Sequence, residues 1–237
     1  MADEIAFHHR VRGDDLLERL RDLHSMLDEA GKISVDDIAN QVRRSGFECI
    51  KCGCCCIGED NCVLVFPDEI RRIISVTGES WLEVAEPPKI GEWDSDGNFH
   101  TLEWRLKKKD GNCRYFVDGK CIIYEVRPAI CKTYPFYLDN GTIKCSLCRG
   151  LGRRISAQAS QSLACDILER YITEIEEAIK LTSRYRDFMR GKPSNKGICI
   201  VHDSFGEHRI DWKDLPGHLM ECASRLSLRS ELDQHLT

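Results

Sequence analysis

The sequence predicts an α+β protein with a small irregular cysteine-rich metal-binding core of short strands, flanked by N-terminal and C-terminal helices. Three observations carry that expectation. Apolar residues recur at helical spacing towards both ends of the chain. Eleven of the 14 cysteines fall between residues 47 and 152. In that same stretch the apolar runs are short and broken by Asp-Gly pairs, the mark of tight turns and hairpins. The chain therefore divides into a helical segment (1–46), a cysteine-cluster metal-binding domain (47–152) and a C-terminal helical region with a short hairpin (153–237).

Residues 14–30 form the first expected helix, with Asp14 or Asp15 as cap, Leu16, Leu20, Leu23, Leu27 and Ala30 on one face, and Gly31 as stop. A second runs from Ser34, with Asp37 three residues on, to Ser45-Gly46. Both are expected to act as a packing lid. ValLeuValPhe at 63–66 reads as a buried strand, and Pro67, Asp68 and Glu69 open a helix carrying Ile70, Ile73 and Ile74. A hairpin is expected from 92 to 107 around Asp96-Gly97, with further turns at Asp110-Gly111 and Asp118-Gly119, just ahead of Cys113 and Cys121. One long or broken helix spans 153–190, with Leu163, Ile167, Tyr171, Ile175, Ala178, Ile179 and Tyr185 as its stripe, and a last helix runs from Leu215 to about Leu228. Cys165, Cys199 and Cys222 lie within these regular elements and are expected to be small buried residues rather than ligands.

Composition bounds the function. The N-terminus has no apolar leader and no stretch approaches the length of a spanning helix, which predicts a soluble cytoplasmic protein without a membrane partner. In a reducing compartment, 14 cysteines point to metal or redox chemistry rather than disulfides. The net charge of −5 and the scattered basic residues give no nucleic-acid surface; Lys107, Lys108 and Lys109 read as the solvated end of a hairpin strand. His8, His9, His24, His100, His202, His208, His218 and His235 form no short-spaced metal pair with a carboxylate, and no phosphate-cradling or serine-hydrolase signature is present.

The chemistry concentrates in CIKCGCCC at residues 49–56. Cys49, Cys52 and Cys55 have the spacing of the first three ligands of a bacterial ferredoxin run, but Glu59 and Asp60 stand where that run needs Cys-Pro. Cys49-x2-Cys52 and Cys145-x2-Cys148 also resemble the two knuckles of a zinc site, yet one zinc takes only four thiolates and leaves the remaining cysteines without a role. Neighbouring cysteines on extended backbone point to opposite sides. Cys56 is thus expected to point away from Cys55 unless a turn returns it, which suits a polynuclear cluster or two centres better than one small ion. Soft thiolate surroundings select iron–sulfur or zinc over magnesium or calcium.

The ordered set FECIKCGCCC, CRYFVDGKCIIYEVRPAICKTYPF at 113–136 and CRGLG at 148–152 resembles the CxxCxxCC (YkgJ-like) family, a zinc- or iron-chelating domain also described as an iron–sulfur oxidoreductase. The resemblance implies a ligand set of Cys49, Cys52, Cys55, Cys56, Cys113, Cys121, Cys131 and Cys148, with Cys54 at a variable position and Cys62 and Cys145 as extras. Some members are described as flagellin lysine methyltransferases with an iron–sulfur centre, which tilts the metal towards iron; no further methyltransferase signature is present here. Within the matching YEVRP and TYPF segments, Arg127 and Lys132 are expected to offset the charge of a thiolate-bound cluster, with backbone amides near Pro128 and Pro135 bonding its sulfurs. Three functions follow: an iron–sulfur protein, most simply with one or two 4Fe-4S clusters, in electron transfer or as accessory factor to a metalloenzyme, with a protein redox or assembly partner; a zinc-stabilised interaction domain; or a thiol enzyme or metal carrier. Residues 47–152 are expected to fold only around metal.

Overall fold

The computed structural model describes residues 13–58, 61–194 and 197–215. The expected last helix after Leu215, Cys222, His8, His9, His218, His235, Glu59 and Asp60 lie outside them. Two apolar cores organise the rest. The first is helical: α1 (Gly13–Ala30) and α2 (Val35–Ser45) pack against a long helix near the C-terminus of the described chain. Ser34 caps α2 as its sequence implies, its Oγ accepting from Asp37 N at 3.3 Å, and Gly46 ends it. Leu23, Ala30, Ile38 and Val42 are buried there, so these helices are half of a core rather than a lid.

The second core begins where Val65 enters a two-residue strand and Pro67 opens α3 (Pro67–Thr77), whose Ile70 and Ile73 are fully buried. A single turn, α4 (Trp81–Val84), follows. The strand Trp104–Leu106 lies between Leu64–Val65 and Ala85–Glu86 in a three-stranded antiparallel sheet. Trp104 is the largest fully buried side chain, and its Nε1 donates to Asp203 Oδ2 at 2.8 Å. The expected hairpin around Asp96-Gly97 forms between Glu92–Trp93 and Phe99–Leu102, but the chain then switches sheets at Glu103, whose positive φ of 61° makes the corner.

Past the cysteine loops, a short turn α5 (Ala129–Thr133) precedes the long helix α6 (Ala157–Arg184). That helix begins at the Ser156 cap rather than at 153 and ends before Tyr185, and Ala164, Ile167, Tyr171 and Ile175 face the helical core. Cys165 was expected to be buried and is exposed. One residue is a 100° step round a helix, so the neighbour of inward Ala164 faces outward. Cys199 is buried as expected. Its strand, Cys199–Asp203, pairs in parallel with Phe99–Leu102 and antiparallel with Gly206–Ile210, joining the last described segment to the sheet of the middle one. Among the described residues, no helix is long and apolar enough to cross a membrane.

This sheet carries a buried polar chain. His100 Nε2 lies 3.0 Å from Asp94 Oδ2, and His100 Nδ1 lies 2.8 Å from His202 Nε2. These two histidines are satisfied interior residues, in keeping with the non-ligand reading. Burial first, and then the adjacent His100, hold His202 down to about 4. An imidazole that resists protonation only when folded supports the fold above the unfolded histidine range, and this support is lost as pH falls from about 6.5 to about 4. The size is about 3 kcal/mol. The thermal midpoint of the natural protein should therefore drop more steeply across this window than that of His202→Gln; parallel curves would refute the assignment.

Candidate metal centre

Four pieces of chain build the site, and backbone bonds join them. The first and last cysteine segments are zipped together where Glu48 N donates to Gly150 O at 3.0 Å and Gly152 N to Gly46 O at 3.0 Å. Gly150 has to be glycine, because a Cβ there would come within 2.4 Å of Glu48 O. In the loop itself, Gly53 adopts a φ of 73° and starts a 3-10 turn at Cys54–Cys56, closed by Cys56 N donating to Gly53 O at 2.7 Å. A Cβ on Gly53 would collide with the Phe116 ring, so this glycine also seats the Phe116–Cys121 hairpin against the loop. Beyond the turn, Gly58 N donates to Asn112 Oδ1 and Gly58 O accepts from Lys108 Nζ. The middle of the basic run thus ties the loop down.

The 3-10 turn corrects the expected direction of Cys56. Successive side chains step about 120° apart in such a turn instead of alternating, so Cys55 Sγ and Cys56 Sγ lie 4.0 Å apart. They share a proton unequally. The hydrogen bond from Cys56 is the largest cause lowering Cys55 to about 6, while Cys56 is pushed up by the same partner and by burial.

Around Cys55 the other thiols gather. Its charge is felt by Cys52, Cys54, Cys56, Cys113, Cys121 and Cys131. Burial raises Cys113, Cys121 and Cys131, and mutual repulsion among them adds to it. Cys148 sits in the same neighbourhood, since Tyr134 is influenced by Cys148, Cys55, Cys145 and Cys54. Cys49, the exposed member of the implied set, meets the Tyr124 hydroxyl. Of the implied ligands the other seven are half-buried, whereas Cys54, Cys62 and Cys145 are exposed. Among the described residues, no three His, Cys, Asp or Glu side chains converge closely enough to hold a single ion.

A feature invisible in the sequence is how the thiols are mounted. The backbone N–H two residues ahead donates to sulfur at four of them: Cys54 to Cys52, Tyr115 to Cys113, Ile123 to Cys121, and Gly150 to Cys148 at 3.4 Å. Amides aimed at sulfur stabilise the thiolate and tune a metal bound to it. These donors lie in the turns around the cysteines. The local signal for one turn was available, since Asp118 and Gly119 both take positive φ, as their pair implies. Asn140-Gly141 behaves likewise, closing a hairpin between Phe136–Asp139 and Thr142–Cys145 that the sequence reading missed although its turn dipeptide is among the strongest. This hairpin carries Cys145 and leads to Cys148. Tyr134 Oη, donating to Leu147 O at 2.6 Å, holds the loop in place.

Positive charge reaches the thiols from two arginines. Arg127 lowers both Cys55 and Cys121, and its guanidinium stacks 3.7 Å from the Tyr124 ring centroid, with Lys51 Nζ at 4.6 Å from that ring. Arg149, a site residue the sequence reading did not single out, acts on Cys52 and Cys54. Lys132 follows Cys131 in α5, half-buried, its N–H donating to Pro128 O at 3.0 Å.

An all-thiol donor set on amide-bearing turns, flanked by arginines, has the character of a metal-chelating cysteine domain. Residues 48–149, a little under half of the chain, match the CxxCxxCC family model, described as "Putative zinc- or iron-chelating domain". No curated protein and no solved structure gives a significant match.

Proposed function

We propose that the protein binds an iron–sulfur cluster of the 4Fe-4S type, one or two per chain, on thiolates drawn from Cys49, Cys52, Cys55, Cys56, Cys113, Cys121, Cys131 and Cys148. It then serves in electron transfer, or as an accessory factor for a metalloenzyme, through a cytoplasmic protein partner. The observation that carries this reading is the position of Cys55, whose charge is felt by six other thiols from three separate parts of the chain. A zinc ion and a 4Fe-4S cluster each take four thiolates, and two centres would take all eight; a cluster several ångströms across accommodates neighbouring thiols such as Cys55 and Cys56, 4.0 Å apart, better than one small ion does. The cluster would supply a one-electron redox couple. The chain would supply the thiolates, the amides that hold their charge, and Arg127 to offset the negative charge of the assembly, with Lys132 as a second cation for the same task.

A zinc reading is favoured by one feature. Cys52 and Cys148 sit at the ends of Cys-x2-Cys pairs with amide-to-sulfur turns, as in a four-cysteine knuckle. Counting iron, acid-labile sulfide and zinc per chain on anaerobically purified protein separates the two. Iron and sulfide in matching amounts, with a brown colour, are expected; stoichiometric zinc without sulfide would replace the first reading with the second.

A further inference from the structure

We propose that Glu69 and Arg170 are positioning residues that clamp the two ends of α5 and so hold the Cys131 thiol towards the metal site. The proposal rests on the reading of Cys131 as a metal ligand. Glu69 is only 7% exposed, and each carboxylate oxygen serves a different element. Oε2 accepts from Phe66 N at 3.0 Å, which caps α3. Oε1 accepts from Ala129 N at 2.7 Å, sixty residues away, at the first residue of α5. Capping α3 needs only the first of these contacts. The second reaches into the turn that carries Cys131, with Arg72 Nη2 3.8 Å behind it to hold the charge.

The far end of α5 is held as firmly. Thr133 is fully buried; its Oγ1 donates to Ala129 O at 3.0 Å and accepts from Arg170 Nη1 at 3.0 Å. Arg170 is itself fixed by Glu174, at 2.6 Å from its Nε. A five-residue helical turn cannot hold itself in water, and Pro128 before it offers no side-chain cap. Its geometry therefore comes from α3 on one side and α6 on the other. Cys131 lies two residues from each clamped end, and Cys55, Cys113 and Cys121 stand near it. A thiol held in this way stays on the metal only while the turn points it there.

The test is alkylation of the full, metal-loaded chain with iodoacetamide under anaerobic conditions, read cysteine by cysteine by mass spectrometry. In Glu69→Ala, Cys131 should label about tenfold faster, the effect of losing one buried hydrogen bond to a charged group. Cys55, Cys56, Cys113 and Cys121 should change by less than about twofold, and an altered metal spectrum should accompany the selective release of Cys131. Thr133→Val, which removes the Arg170 contact while keeping shape, should do the same and serves if Glu69→Ala does not fold. Unchanged Cys131 labelling, or an equal rise at every cysteine, would overturn the clamp. Cys131→Ser with full metal content and an unchanged spectrum would instead overturn the ligand reading, and the clamp with it; loss of metal in that variant beside unaltered Cys131 labelling in Glu69→Ala would sink the clamp alone.

Discussion

Stripping the metal by anaerobic chelation should lower the thermal midpoint by about 5–10 °C and expose residues 48–58, 113–127 and 144–150 to protease before any other described segment. A metal held at a hundred times its dissociation constant stabilises the folded state by about 2.7 kcal/mol. For a chain of this size each kcal/mol moves the midpoint by about 2–4 °C. The effect concentrates in the knuckles because little else holds them: between residues 48 and 58 only Gly53 is buried. The expectation that all of residues 47–152 depend on metal is narrowed by the structure, since Val65, Ile70, Ile73, Val84, Trp104 and Leu106 give the middle of that segment an apolar core of its own. Helical circular dichroism should accordingly survive chelation. Equal protease rates with and without metal, or a first cut inside α3 or α6, would show that the thiols are not what orders these loops.

Cys55→Ser should remove most of the bound metal, while Cys54→Ser should leave metal content and spectrum unchanged. Cys55 is the thiol that six others feel, Cys56 and the Arg127 charge hold it down to about 6, and its side chain is half-buried in the turn. Cys54 precedes it by one residue and points to solvent. Its N–H donates to Cys52 and is kept in a serine variant, and the contact its thiol makes with Cys52 can be made there by the serine hydroxyl. Metal content measured on both proteins, prepared side by side, decides the matter. A Cys54→Ser protein that loses its metal beside a Cys55→Ser protein that keeps it would place the run in a different register.

Much of this was legible in the chain itself. Helical spacing marked α1, α2, α3 and most of α6, and Asp-Gly pairs marked the turns beside Cys113 and Cys121, because backbone geometry at such points depends on near neighbours. The clustering of cysteines pointed to metal, and their ordered spacing to a family whose model matches the same segment. Cys165 shows where local reading ran out. Its neighbours at helical spacing are apolar, yet only the packing of α6 against α1 and α2 decides which face is interior.

Spacing along the chain determined which cysteines were available; the tertiary structure decided how they are grouped and what aims them. The 3-10 turn that brings Cys55 and Cys56 within 4.0 Å depends on Gly53 lying against Phe116, a contact made across more than sixty residues. Glu69 reads in the sequence as the third residue of a helix, and its second oxygen acquires a partner only when α5 folds back beside α3. A carboxylate has two acceptor atoms, and local sequence accounts for one of them. The other, like the direction of a thiol, is set by whatever the rest of the chain brings within hydrogen-bond reach.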